Sequence, residues 1–335
     1  MKKLGSILAA LMLVVAGCSQ TSQDTTQTSQ DSQSATFTLG LTYIPDVQFA
    51  PVYVAEKKGY FKEAGLNVTL RHHGAQENLF GALQSGDEDI VFAGGDEMMQ
   101  ARSTGIDVVN WATMYQKYPV VVISPKESRI GKWSDLAGKT IGLPGPYGEN
   151  YFALLAGLEQ HGLKGKVKTE FIGYTQAAAL KEKKVDAVVG FANNDTVSLQ
   201  NAGIDVTMFA VVDAGEPPLV GVGFGSLAEN IRADEYAKFL AAVQRGVAYA
   251  GANPQETLDI VTGYVPSLKD THQRALAQKV LQETIKLYGD GQNFGAQNPQ
   301  TWTAMSAFMQ STGIIKKSVD AKDAYTETVL KKRNK

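Results

Sequence analysis

Residues 90–103 read Ile-Val-Phe-Ala-Gly-Gly-Asp-Glu-Met-Met-Gln-Ala-Arg-Ser. Ile90 to Ala93 is a short apolar run of strand type. Gly94-Gly95 lets the backbone turn tightly, and a helix is expected from about Asp96 to Ser103. The same strand, glycine turn and helix recur on both sides. Upstream, Phe37 to Tyr43 alternates apolar and polar residues, Pro45-Asp46 interrupts it, Ala50 to Lys58 is helix-like and Gly59 stops it. Leu66 to Arg71 reads as the next strand and Glu77 to Ser85 as a helix ended by Gly86. Downstream, Val108 to Met114 and Val120 to Ser124 are strand-like. This β-α-β rhythm predicts an α/β fold, with mixed sheets flanked by helices.

The rhythm then restarts. Lys139 to Leu143, Lys168 to Ile172 and Ala187 to Gly190 read as strands, with helices at Tyr151 to His161 and Gln176 to Glu182. A strand near Val220 to Gly225 and a helical tail follow, the tail over Asp234 to Tyr249, Pro254 to Val261, Asp270 to Tyr288 and Thr301 to Thr312. A chain of 335 residues exceeds the size at which one core usually stops growing. Two lobes are expected, the first over 37–124, the second over 125–209, with 210–335 returning to the first. Ligands of open α/β sheets bind beyond the carboxyl ends of strands, so the cleft between the lobes is the expected site.

The amino-terminus has its own logic. Lys2 and Lys3 precede an apolar run from Leu4 to Ala16, which stops at Gly17-Cys18. A basic end, a short apolar stretch and small residues before a cut site make a signal peptide over 1–17. Cys18 is the one cysteine of the chain, and Val15-Ala16-Gly17-Cys18 resembles the lipobox of bacterial lipoproteins. That resemblance implies a lipid on the Cys18 sulfur; an ordinary signal peptide with an incidental cysteine is the alternative. Fifteen of the eighteen residues from Ser19 to Thr36 are Ser, Thr or Gln, a composition with almost no apolar surface to bury. Residues 18–36 thus read as a lipid-anchored polar tether, and the protein as extracytoplasmic and held at the cell membrane. The net charge of −2 and the lack of a long basic run give no sign of nucleic-acid binding.

Candidate ligand residues follow the strands. Tyr43, Asp46, Gln48 and Phe49 come after the first, although Asp46 or Gln48 can equally cap the next helix. Asp96 and Glu97 follow Gly94-Gly95; two carboxylates at a helix start repel anions and welcome N–H donors. Tyr147 and Tyr151 bracket a Pro-Gly-Pro turn that matches no phosphate loop. Gln176 lies ahead of a helix, and Phe191, Asn193 and Asn194 follow the strand ending at Gly190, where the two Asn also suit a turn. Tyr53 and Tyr118 complete the set. Tyrosine, Phe, Asn, Gln and acids dominate, and Arg and Lys are largely missing. Such a lining suits a neutral or weakly cationic aromatic ring rather than a sulfonate or phosphate.

Four stretches, Tyr43-Ile44-Pro45-Asp46, Val54 to Phe61, Asp135 to Gly142 and Val185 to Gly190, resemble the solute-binding proteins of ABC importers related to thiamine-pyrimidine synthase. The resemblance covers roughly Phe37 to Val261. It implies a two-lobed periplasmic-binding-protein fold of type II, which captures a small molecule and hands it to a membrane permease and its ATPase. Thiamine-precursor binders of that family usually carry Trp-Tyr-Pro-Asn where this chain has Tyr43-Ile44-Pro45-Asp46. The run from Val47 to Ala55, Gly95-Asp96-Glu97 and Phe191 to Asn194 look closer to a riboflavin branch. A riboflavin-like vitamin is the expected ligand, with an aminopyrimidine as the alternative and a sulfonate third.

Two other classes stand beside this one. A pyrimidine synthase of the same fold resembles a catalyst with a cysteine-rich motif and an iron site, whereas this chain has no cysteine after Cys18. His72 and His73 are adjacent on a strand and so face opposite ways, and no catalytic residue, metal or cofactor is expected. A sensor or adhesin would reuse the fold without transport. The protein is expected to be a monomer.

Overall fold

The computed structural model describes residues 34–74, 77–289 and 291–335. The signal peptide, Cys18 and nearly all of the tether lie outside these residues.

Ten strands form two five-stranded sheets. The first sheet holds β1 (Ala35–Leu41), β2 (Leu66–His72), β3 (Ile90–Gly94), β4 (Val108–Thr113) and β10 (Val222–Leu227). The second holds β5 (Val120–Pro125), β6 (Thr140–Leu143), β7 (Lys168–Phe171), β8 (Ala187–Phe191) and β9 (Val206–Ala210). The orders are β2-β1-β3-β10-β4 and β7-β6-β8-β5-β9. In each sheet three parallel strands are followed by an antiparallel one, β10 or β5. The antiparallel strand is the one supplied by a crossing, so the chain passes between lobes in 114–119 and again in 211–221.

Several elements differ from the sequence reading. β1 starts at Ala35, inside the segment read as tether, and ends at Leu41, so Tyr43 stands beyond the strand. Thr42 donates through its hydroxyl to the Phe92 carbonyl, and this turns the chain off the sheet. β5 belongs to the second sheet, not the first lobe, because it pairs with β8 and β9. An apolar run such as Val120-Val121-Val122-Ile123 has the same pattern in either sheet, and its neighbours decide. The helix expected from Glu77 is confined to Gly81–Ser85; the Asn78 side chain accepts from the Phe80 N–H and holds a turn ahead of it.

The first core packs Trp111 between Phe224 and Tyr236, at 5.4 and 5.0 Å between ring centres, with Phe37, Leu39 and Phe239 around them. The helix Ala233–Ala252 lays its apolar face on this core and on the helix Ala50–Lys57. The second core gathers Trp133, Ile141, Leu154, Leu158 and Val189. The tail does not return wholly to the first lobe. Trp302, Met305 and Met309 of the helix Pro299–Ser311 pack into the second core.

Candidate ligand site

A cavity of about 870 Å³ opens at the carboxyl ends of the parallel strands of both sheets. Thr42, Tyr43, Gln48 and Phe49 line it from beyond β1, His73 and Gly74 from beyond β2, and Gly94 and Glu97 from the end of β3. The second lobe contributes Pro144 and Pro146 to Phe152 after β6, Tyr174 after β7, Phe191 at the end of β8 with Asn194 and Asp195 beyond it, together with Gln176. The volume lies in the range of sites that enclose a small organic ligand.

Of the residues read from the sequence, Tyr43, Gln48, Phe49, Glu97, Tyr147, Tyr151, Gln176, Phe191 and Asn194 are brought together on this wall. Five are not. Tyr53 lies in the first core, stacked on Tyr264 at 3.8 Å and bonded to His72 Nε2 at 2.9 Å. The helix Ala50–Lys57 that carries it is buried on every side from Ala50 to Ala55. Asp46 caps the turn Val47–Phe49, accepting from the Gln48 N–H at 3.0 Å, and burial raises its pKa. Asp96 is fully buried and accepts from the Tyr118 hydroxyl at 2.7 Å, so these two satisfy each other behind the wall. Asn193 is buried and donates to Thr284 Oγ1 at 2.8 Å, tying β8 to the helix Thr271–Leu287 of the first lobe.

Glu97 joins the two halves. Its Oε2 accepts from the Gly94 N–H at 2.7 Å and its Oε1 from the Glu149 N–H at 2.9 Å. One carboxylate thus satisfies a free amide at the start of the helix Gly95–Ser103 and another at the start of Gly148–Gln160. Burial pushes the Glu97 carboxyl up to about 7 despite these donors. Glu149 and Asp96 are raised too, by burial first and then by neighbouring acids. Asp195 accepts from the Phe191 N–H at 2.7 Å, and burial lifts it to about 6.

The wall is aromatic and acidic. Tyr43 and Tyr174 meet edge to face across the cleft, their ring centres 5.6 Å apart. Glu77, Glu97, Glu149 and Asp195 line the cavity, and among the described residues no Lys or Arg does. The Arg71 guanidinium is held by Glu77 at 2.5 Å and Glu88 at 2.7 Å. The donor atoms of His73, Glu77 and Glu88 lie within 4.8 Å of one another, a spacing that a metal ion could bridge. Arg71 already balances both carboxylates there.

Sequence reasoning missed His73 and Tyr115, and it did not choose Glu149 and Asp195 although both lie in stretches it singled out after strands; all four line the cavity. The alternation of adjacent strand residues held the signal for His73. His72 turns inward to Tyr53, and His73 turns to the cavity. Glu149 falls in the turn ahead of the helix expected from Tyr151, whereas the helix starts at Gly148 and takes Glu149 into its first turn.

The profile described as NMT1/THI5 like matches residues 46–257. The riboflavin-binding protein RibY of Chloroflexus aurantiacus is 31% identical over 296 residues, 86% of this chain and 84% of that one. A formylaminopyrimidine-binding protein of Halalkalibacterium halodurans is 25% identical over 334 residues, 97% of this chain and 98% of its own. More distant relatives are named as synthases of a pyrimidine phosphate. Among solved structures, the alkanesulfonate-binding protein SsuA of Xanthomonas axonopodis, bound to MOPS, superposes with a TM-score of 0.65 at 17% identity, covering 87% of this chain and 98% of that one. At that identity the likeness shows the fold alone, and the fold is the two-lobed periplasmic-binding one. The chain belongs to the NMT1/THI5-like family.

Proposed function

We propose that this protein is the solute-binding component of an ABC importer and captures a neutral aromatic heterocycle of riboflavin type. The observation that carries the reading is the cavity wall: tyrosines and Phe from both lobes, four carboxyl groups and, among the described residues, no Lys or Arg. Flat rings stack on such side chains, each pair adding about 0.5–1.5 kcal/mol beyond burial. Carboxylates accept from ring N–H and hydroxyl groups and repel an anion. A sulfonate has no cation to meet here. The similarity to a riboflavin binder over most of both chains supports the same ligand class.

Titration of the purified protein with riboflavin, followed by loss of flavin fluorescence, tests this. Saturable one-to-one quenching is expected, and an alkanesulfonate should neither bind nor compete. Tight sulfonate binding with no response to riboflavin or an aminopyrimidine would end the reading. The aminopyrimidine alternative keeps the same role; acceptor-rich walls favour its amino group, and the formylaminopyrimidine-binding relative spans nearly the whole chain.

The role proposed is binding without chemistry, since the body has no cysteine to serve a cysteine-rich catalytic motif. No helix among the described residues is long and apolar enough to cross a membrane. We place the protein outside the cytoplasm as a monomer, anchored by lipid on Cys18 and docking on a permease. Cys18→Ser should release it from the membrane fraction into the medium or the periplasm; retention in the membrane would refute the anchor.

A further inference from the structure

His73 is 3% exposed, yet it lines the cavity. Its Nε2 lies 2.8 Å from Glu88 Oε1. Glu88 is itself fixed, its side chain fully buried and paired with Arg71. It lies over Gly40 of β1 so closely that a Cβ there would come within 2.1 Å of Glu88 Oε2. A carboxylate at Nε2 holds the ring proton on that nitrogen, and a neutral imidazole then presents Nδ1 as a bare acceptor. Nδ1 has no partner among the described residues. Three other cavity-lining groups are in the same condition: Tyr115 Oη, Glu149 Oε1 and Asn150 Oδ1. Buried polar atoms are nearly always paired. Four unpaired ones around a single cavity point to a ligand that supplies the missing partners.

We propose that His73, oriented by Glu88, accepts a hydrogen bond from a ring N–H of the ligand and selects heterocycles that carry one. The inference rests on the heterocycle reading above and adds the edge by which the ring is read. An imide-type edge, an N–H between carbonyls, fits it: Nδ1 accepts from the N–H, and the Tyr115 hydroxyl, which has no partner among the described residues, can donate to an adjacent carbonyl.

The test compares lumiflavin with 3-methyllumiflavin, two isoalloxazines that differ in one ring N–H. The intact protein should bind lumiflavin about 10- to 100-fold more tightly, the loss that follows from a buried acceptor left unpaired. His73→Leu should bring the ratio of the two affinities close to one, and His73→Gln, which keeps an acceptor oxygen, should restore much of it. A ratio near one in the unmodified protein overturns the proposal without needing any variant. So does an unchanged ratio in a folded His73→Leu protein. If neither flavin binds at all, the heterocycle reading for flavins falls, and this inference falls with it.

Discussion

The two lobes share one strand topology and differ in how they hold their aromatic side of the cleft. In the first lobe the cavity aromatics Phe49, Phe92 and Tyr115 are 4%, 3% and 2% exposed and belong to the main core. In the second, Tyr147 and Tyr174 stand 47% and 46% exposed. The first surface is therefore set by folding, before any ligand arrives. The second has free aromatic faces that gain burial only when something fills the gap. A ligand that touches both surfaces gains contacts on each, and it favours whichever arrangement of the lobes offers it the most.

The sharpest way to break this comparison is to cut the buried side. Phe92 packs on Phe224 and Tyr115 at 5.0 and 5.9 Å between ring centres. Phe92→Ala should cost about 3–5 kcal/mol of unfolding free energy, the usual loss for a large buried aromatic. Urea denaturation measures it. A loss below about 1 kcal/mol would mean that the first lobe's surface is as loosely held as the second's.

Next comes the junction. The Glu97 carboxyl, pushed up to about 7 by burial, binds its proton more tightly folded than unfolded. Between the ordinary carboxyl value and that raised one, the folded state holds more protons than the unfolded state. Stability contributed by protonated Glu97 is thus full at acid pH and lost as pH rises through this window. Asp195, Asp96 and Glu149 shift in the same direction. Unfolding free energy should fall on the order of 2–3 kcal/mol from pH 5 to 8 through Glu97 alone. Glu97→Gln should flatten that slope, and thermal melts across the range check it.

The Asn193 tie is smaller. Its bond to Thr284 is buried and joins the lobes. Asn193→Ala should cost about 1–2 kcal/mol. It should also raise the radius of gyration of the unliganded protein if the tie restrains opening; an unchanged radius would assign the bond to local stability only.

How far the sequence carried follows from the same contrast. The sheets were legible because Gly59, Gly86, Gly94 and Gly162 punctuate regular strand and helix patterns. The assignment of β5 was not, because a fully apolar strand carries no mark of which sheet will take it. The second-lobe residues Tyr147, exposed, and Tyr151, half-buried, were found by a simple rule, that residues after parallel strands face the cleft. Tyr53 failed under the same rule because the helix after β1 is buried all round from Ala50 to Ala55, so the ring is taken into the core. His73 and Glu149 escaped notice for the opposite reason. Each is a titratable residue that looks solvated in sequence, and each is buried at a site only because a distant partner, Glu88 or Glu97, was brought to it by the fold.

The smallest effect on stability should come from the residues that matter most to the free surface. Tyr147 sits just before Gly148, whose φ of +80° starts the helix in a conformation suited to glycine, and it makes no side-chain cap for that helix. Tyr174 touches Tyr43 across the cleft and otherwise faces solvent. Truncating Tyr147 to Ala removes little that folding has buried, so unfolding free energy should stay within about 0.5 kcal/mol of the parent; Tyr174→Ala also loses the edge-to-face contact with Tyr43 and should cost about 0.5–1.5 kcal/mol. Affinity for riboflavin should nonetheless drop by about tenfold for each, because the stacking and burial that these rings lose is realised only with ligand present. Paired urea and fluorescence titrations separate the two quantities. If Tyr147→Ala loses stability in proportion to affinity, the second lobe's aromatic face is part of the fold after all, and the division of labour between the lobes disappears.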